Sequence, residues 1–345
     1  MLVELNPFQD PRWDDFVDAH PEGTIYHHSA WHQVLSETYG YTSLHIGQTA
    51  PGGGEVIGVF PLLLVNSFLT GKRLVSLPFT TYCNPLMPEE SLHEAIRFAF
   101  RRFSNVDYVE VKLVEKEGGE ESRLGVDSPF ITHILNLGGE IDKLFQSFHP
   151  TSIRQRVKRA ERIGLTVRMA KTDSDLRQFY EFYSLMRRKN GVPPQPYSFF
   201  LNMRRILAPK NFLEIPVIEF QGRVIAAAIL LKFNSTWHLE YSNSDPLFLK
   251  ESPNQLLIWN CIAMAHRGGA KYFDFGRTAL SHQSLLEFKD RWQAKRRVIR
   301  YHFFPEDKKV NHRNNRTDGF LMRVNRKMPL ALLKWEGRLV YPHMG

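Results

Sequence analysis

The longest uninterrupted apolar run in the chain is about eight residues, Val224 to Leu231. A helix that crosses a bilayer needs about 20 such residues, so this run is too short to span one. It lies within a strand-like run at 223–233. Gln221-Gly222, a tight-turn signal, stands before it, and a strand-like run at 213–220 precedes the turn. A third strand follows at 236–241, then a helical stretch at 254–266 that ends at Gly268-Gly269. Strands joined by tight turns that then give way to a helix predict an α/β domain on a mostly antiparallel sheet.

The rest of the chain repeats that order. Helical pieces lie around Trp13, Phe16 and Val17 and from Ser29, an N-cap residue type, to Gly40, a stop. Strands at 43–48 and 56–65 flank Pro51-Gly52-Gly53-Gly54, whose glycines supply a turn. Strand 73–77, helix 89–103, strand 107–113, an exposed loop at 115–128 and strand 130–137 complete the first half. In the second half Ser152 is placed to cap a helix to about Ile163, with Ile153, Val157 and Ala160 on one face. Strand 165–169 and helix 173–189 follow, then Asn190–Tyr197 with three prolines, which cannot be helical. Helix 198–207 leads into the strands above. Strand 272–275, a short helix holding Phe288-Lys289 and strand 297–304 close the half. A length of 345 residues suits two domains. The expected blocks are 1–150, 151–307 with the active cleft, and a basic tail, 308–345, packing back on the first.

Composition excludes several classes. With 43% hydrophobic and 23% charged residues the chain is neither disordered nor fibrous. The N-terminus is acidic and mixed, unlike a signal peptide. Two cysteines, Cys83 and Cys261, build no disulfide framework or cysteine metal site. A reducing, cytoplasmic location is the expectation. Charge is unevenly spread: residues 1–150 carry a net −10 and residues 151–345 a net +19. The second half is expected to meet an anionic partner, such as a phosphate-bearing substrate, tRNA or an anionic membrane surface, or else to be basic without a partner.

No metal is expected. His28 and His32 share a helix face, but the pair lacks the glutamate of His-Glu-x-x-His and has no evident third ligand. Neither a Gly-x-Ser-x-Gly elbow nor a phosphate-binding P-loop occurs, so covalent catalysis has no support.

Four stretches in order carry a family resemblance. They are Tyr26-His27-His28-Ser29-Ala30-Trp31, the basic segment Ser152–Gly164 with Lys158-Arg159-Ala160, Phe273-Asp274-Phe275-Gly276-Arg277, and Phe288-Lys289 with Trp292. Together they span 26–292, and the chain resembles the FemAB family. That resemblance implies two tandem GNAT-like acyltransferase domains, with mixed, mostly antiparallel sheets flanked by helices. It implies transfer of an acyl or aminoacyl group onto an amine of a cell-envelope or polysaccharide precursor. No cofactor is bound tightly, and aminoacyl-tRNA or acyl-CoA serves as co-substrate. A lipid-linked or small-molecule precursor and tRNA are the implied partners, with peripheral membrane contact in view and no DNA. The stretch 170–210 is too short and too rich in proline for the coiled-coil arm of some members, which resembles the exopolysaccharide- and protein-sorting-associated branch. Peptidoglycan-modifying members tend to carry a lysine where Leu35 stands.

The resemblance places Lys289 at the active site, where a fixed cation steadies the oxyanion of acyl transfer; the alternative is a surface lysine beside a core Phe288. Asp274, at a strand end, either accepts the proton of the attacking amine, orients Arg277 as a structural partner, or caps the loop. Arg277 and Arg188 are the candidates for gripping acceptor phosphate or carboxylate. Tyr241 ends a strand where a GNAT sheet splits, as substrate contact or core aromatic. Arg154 and Lys158 lie on a basic stripe that either binds phosphate or is a solvated face, and Trp31 is pocket wall or packing. The loop Ser242–Asn254 contains no glycine, which disfavours coenzyme A held in the usual GNAT manner, although Asn254 at a helix start remains able to meet an anion. Two further readings stand beside aminoacyl transfer: an acyl-CoA-dependent N-acetyltransferase of exopolysaccharide synthesis, and a non-catalytic module docking on RNA or a membrane.

Overall fold

The computed structural model describes residues 1–68, 71–115, 126–305 and 319–345. The expected loop at 115–128 and the start of the basic tail fall largely outside them. The chain divides into two compact units. The first comprises Met1–Ser128, Val298–Asn315 and Arg338–Gly345, and the second Pro129–Arg297 and Arg316–Gly337. Each unit is discontinuous in sequence, where continuous blocks meeting at residue 150 were expected. The tail, too, is divided between the units.

The first unit begins with β1 (Leu2–Glu4), α1 (Arg12–Ala19), α2 (Ser29–Tyr39), β2 (Thr42–Thr49), β3 (Val56–Ser67), β4 (Gly71–Val75), α3 (Glu89–Arg102) and β5 (Tyr108–Val114). Then come β6 (Val126–Asn136), α4 (Ile141–Ser147), a π-helical turn Pro150–Arg154, α5 (Gln155–Arg162), β7 (Thr166–Met169), α6 (Asp173–Lys189) and α7 (Tyr197–Leu207). They are followed by β8 (Leu213–Glu214), β9 (Pro216–Phe220), β10 (Arg223–Phe233), β11 (Thr236–Ser244), a 3₁₀ helix Pro246–Glu251, α8 (Pro253–Arg267), β12 (Tyr272–Asp274), β13 (Thr278–Ala279) and α9 (Gln283–Asp290). Last are β14 (Lys295–Phe304), α10 (Gly319–Lys327) and α11 (Leu330–Met344).

The sheet of the first unit runs β1-β2-β3-β4-β5-β14, and that of the second β6-β12-β11-β10-β9-β7. In the first, β4 and β5 are parallel and joined through α3; in the second, β11 and β12 are parallel and joined through α8. A parallel pair needs such a crossover, whereas the antiparallel strands before it need only turns. The recurring order read in the sequence is therefore present in both sheets. Each sheet also takes a strand from the other half of the sequence: β14 pairs with β5, and β6 pairs with β12.

The second unit's core explains its local structure. From Ile225 on, β10, expected as a strand, is buried at every position. Ala226, Ala228 and Leu230 share a cluster with Leu257, Cys261 and Ala265 of α8. Ile153, Val157 and Ala160 join the same cluster, so the expected apolar face is the one that packs. Two caps differ from expectation. The π-helical turn starts at Pro150, and the His149 side chain, not that of Ser152, accepts the free backbone N–H there, from Ser152 itself. In the first unit His28 Nδ1 caps α2 by accepting from Ala30 N, while the Ser29 hydroxyl donates to Asp14. His28 is thereby occupied, and His32 bonds the Tyr26 carbonyl at 2.9 Å and His45 at 2.8 Å. No group of residues suited to holding a metal occurs among the described residues.

Candidate active site

The second unit's sheet opens where its parallel pair ends. β11 and β12 pair only from Thr236–Tyr272 to His238–Asp274. Beyond that point β11 continues to Ser244, while β12 stops and Gly276 turns the chain at a φ of 74°. A Cβ there would sit 3.2 Å from the Leu239 carbonyl, so glycine answers both the left-handed backbone and the close approach. On the β11 side, Ile229 pairs with Tyr241 and Leu230 with Leu239, leaving Glu240 without an opposite residue. This is a β-bulge, a device that re-aims a side chain where pairing ends.

Lys289 enters this split from the last turn of α9. Its side chain is buried, with 6% of the residue exposed, so it is not a surface lysine. Nζ donates to the Phe275 and Gly276 carbonyls, both at 2.7 Å. An ammonium has three donors, and these carbonyls use two. Burial pushes its pKa down to about 8, while the negative charges of Asp274 and Glu240 oppose the fall. The group is a cation at neutral pH that titrates close to it.

Asp274 is fully buried and holds the turn from beneath. It accepts from Thr132 Oγ1 at 2.5 Å and from Gly276 N at 2.7 Å, and His238 Nδ1 lies 3.6 Å away. Burial pushes its pKa up, but His238, Thr132 and the Gly276 N–H outweigh it, and the carboxyl ends below its ordinary value. A sealed carboxylate with a lowered pKa is a poor proton acceptor. The Arg277 side chain is exposed and stacks 4.6 Å over the Phe130 ring.

The other candidates are spread over several elements. Tyr241 donates to Gln195 Oε1 at 2.7 Å, and its ring packs against Phe179, Tyr183 and Phe200, tying β11 to the proline-rich 190–197 loop. Arg188 lies in the last turn of α6 and is half-buried. Arg154 donates to Gln146 Oε1 at 2.5 Å, whereas Lys158 is exposed on α5. Arg159 reaches Glu251 at 3.7 Å, which sets this stripe beside the start of α8. Asn254 is the second residue of α8, and its Oδ1 is buried with no hydrogen-bond partner among the described residues. Ser252, at a φ of 61°, takes the left-handed position ahead of the helix that a glycine would ordinarily fill. Pro253 follows at the first helical position and offers no N–H to an anion. Trp31 belongs to the first unit, fully buried and edge-on to Tyr26 at 5.3 Å. A cavity of about 740 Å³ in the first unit, lined by residues such as Leu86, Met87, Leu92, Val111 and His302, contains none of the candidates.

Sequence reasoning missed Thr132, His133 and His238. His133 is buried 3.2 Å from Asp290, and burial with the nearby Lys289 charge lowers its pKa to about 4. Their one signal is polarity inside otherwise apolar strands. Thr132 meets Asp274 across 142 positions of sequence, a pairing no local pattern carries.

A family profile described as an acetyltransferase (GNAT) domain matches residues 147–290, which contain β11, β12 and α9. The UDP-N-acetylmuramoylpentapeptide-lysine N(6)-alanyltransferase of Weissella viridescens is 24% identical over 119 residues, 34% of this chain and 35% of that protein. A crystal structure of FemX covers 88% of this chain and 97% of its own, with a TM-score of 0.70 and 16% identity. The fold is that of FemX, and residues 147–290 match a GNAT acetyltransferase domain. A tandem GNAT protein from the clavulanic acid biosynthesis pathway covers 88% of this chain and 98% of its own, with a TM-score of 0.52 and 11% identity. The fold is thus two GNAT-like units in one chain. The match to the curated relative spans about a third of that relative's length.

Proposed function

We propose that this chain is an acyltransferase that moves an aminoacyl group from an activated donor onto an amine of a cell-wall precursor. The observation that carries the reading is the Lys289 ammonium, buried at the point where β11 and β12 part and held by two carbonyls with one N–H to spare. In the reaction the acceptor amine forms a C–N bond to the donor carbonyl, and the carbonyl oxygen takes up negative charge. Lys289 donates to that oxyanion. The bond to the leaving oxygen of the donor ester then breaks, and the proton lost by the amine ends on that oxygen. A preorganised donor in a water-poor site is worth more than the same group in water. Asp274 acts as a positioning residue: it fixes the Gly276 turn and so the carbonyls that hold Nζ. Glu240 faces the same ammonium electrostatically.

The name of the alanyltransferase relative favours an aminoacyl group, and the donor is read as the aminoacyl-tRNA that the FemAB resemblance implies. Pro253 favours it over coenzyme A, because it removes a backbone donor from the helix start where pyrophosphate would sit, and the loop before α8 lacks the glycines of the usual GNAT phosphate loop. The basic face of α5 and Arg188 suit a phosphate-bearing donor or acceptor. Leu35, at the position of the family's lysine, is fully buried and supplies no cation, which favours an acceptor other than a peptidoglycan nucleotide, a polysaccharide precursor among them. Incubation with charged tRNA or acyl-CoA and candidate amine acceptors tests the reading by release of free donor. Turnover with acyl-CoA and none with charged tRNA overturns the donor assignment.

A further inference from the structure

α10 and α11 carry large apolar side chains on their outer faces. Their inner faces mix polar, small and apolar residues, Leu333 of α11 being fully buried. Asn325 Nδ2 donates to the Gly191 carbonyl at 3.2 Å, Lys334 pairs with Glu181 of α6 and lies 4.9 Å over the Tyr180 ring, and a Cβ on Gly337 would meet the Pro194 carbonyl at 2.0 Å. Only a glycine lets α11 lie that close to the 190–197 loop. The opposite side of each helix is apolar and open. Phe320, Leu321 and Val324 follow one stripe of α10 and are 72%, 49% and 40% exposed; on α11, Leu332 and Trp335 are 56% and 60% exposed. Soluble proteins rarely leave such a group uncovered.

The charge beside the stripe identifies what covers it. Arg323, Arg326 and Lys327 are exposed along α10 next to the apolar residues, and Arg338 is exposed on α11 next to Trp335 in the helical turn. Residues 319–345 hold five Lys and Arg, and one acid, Glu336. Glu336 is itself partly buried, and that burial raises its pKa. A stripe of Phe, Leu and Trp bordered by arginines is the surface of a helix that lies in the headgroup layer of an anionic bilayer, its apolar side sunk toward the acyl chains. Another protein would meet those cations with carboxylates, and a nucleic acid would leave the leucines uncovered.

We propose that the outer face of α10 and the first turns of α11 docks on an anionic lipid surface. The inference stands apart from the acyl-transfer reading, because it rests on exposed side chains that touch none of the proposed catalytic groups. Such docking would hold the enzyme beside an acceptor that carries a lipid.

The test is co-sedimentation of the full chain with vesicles of equal parts phosphatidylcholine and phosphatidylglycerol, against vesicles of phosphatidylcholine alone. Strong binding is expected to the anionic vesicles and weak binding to the neutral ones. Changing Phe320, Leu332 and Trp335 together to Ser, or Arg323, Arg326 and Lys327 together to Gln, is each expected to weaken binding at least about tenfold. All six side chains are exposed, so the melting transition should not move, and Trp335 fluorescence, read as the difference from Trp335→Phe, should shift to the blue on binding. Equal binding of variants and parent overturns the proposal. So does failure to pellet, a concentration-dependent dimer that the Ser variant abolishes, or salt-sensitive RNA binding in place of lipid binding.

Discussion

A single proton decides what Lys289 can do. Its pKa is lowered to about 8 by burial, so the ammonium is present below that pH and lost above it. The rate of acyl transfer should therefore hold through neutral pH and fall about tenfold per unit above pH 8, as a pH–rate profile will read. The charge of Asp274 supports the ammonium. Asp274→Asn removes that support and should move the alkaline limb to lower pH. The same change weakens the bonds to Thr132 Oγ1 and Gly276 N and should destabilise the fold by about 1–3 kcal/mol, seen as a lower melting temperature. An unmoved limb would mean that Asp274 supports the turn and nothing more. From sequence the lysine and the aspartate were legible as chemistry, but their relation was not. Arg277 stands nearest Asp274 in the chain, yet Phe130 takes its guanidinium and Thr132 takes the carboxylate. Side-chain partners are chosen by the sheet register, and residues 274 and 132 become neighbours only once β12 lies beside β6.

At the scale of elements the reading was better. The apolar run 224–231 became the buried centre of β10, and the Ile153, Val157 and Ala160 face packed as its period required. Period and burial are local properties, so a sequence carries them. Which strand pairs with which is a long-range property. The exchange of β6 and β14 between the halves of the chain has no local signature, and it makes residue 150 an unsuitable place to cut. A fragment of residues 1–150 would keep β5 and lose β14, leaving Val109 and Val111 beside an open edge. It should aggregate or lack a cooperative melting transition, and a soluble fragment with a sharp transition would contradict the account. At the start of α8, Pro253 removes an N–H where a pyrophosphate would bind. Coenzyme A should therefore leave the melting temperature of the protein unchanged, and a rise that grows with its concentration would return the donor to the acyl-CoA class.

For the whole molecule, the chemistry divides between the units. The first unit carries a buried histidine network and a cavity without candidate groups, and the second carries the split sheet, the α5 stripe and the helices proposed to meet lipid. The account turns on one group. Single-turnover transfer from an aminoacyl donor, compared among the parent, Lys289→Ala and Lys289→Arg, tests it most directly. Loss of a donor to an oxyanion should lower the rate of the Ala variant by about 10²–10³-fold with little change in donor affinity, and Arg should recover part of it. An Ala variant that stays folded and transfers at the parental rate would contradict the claim that this ammonium does the chemistry.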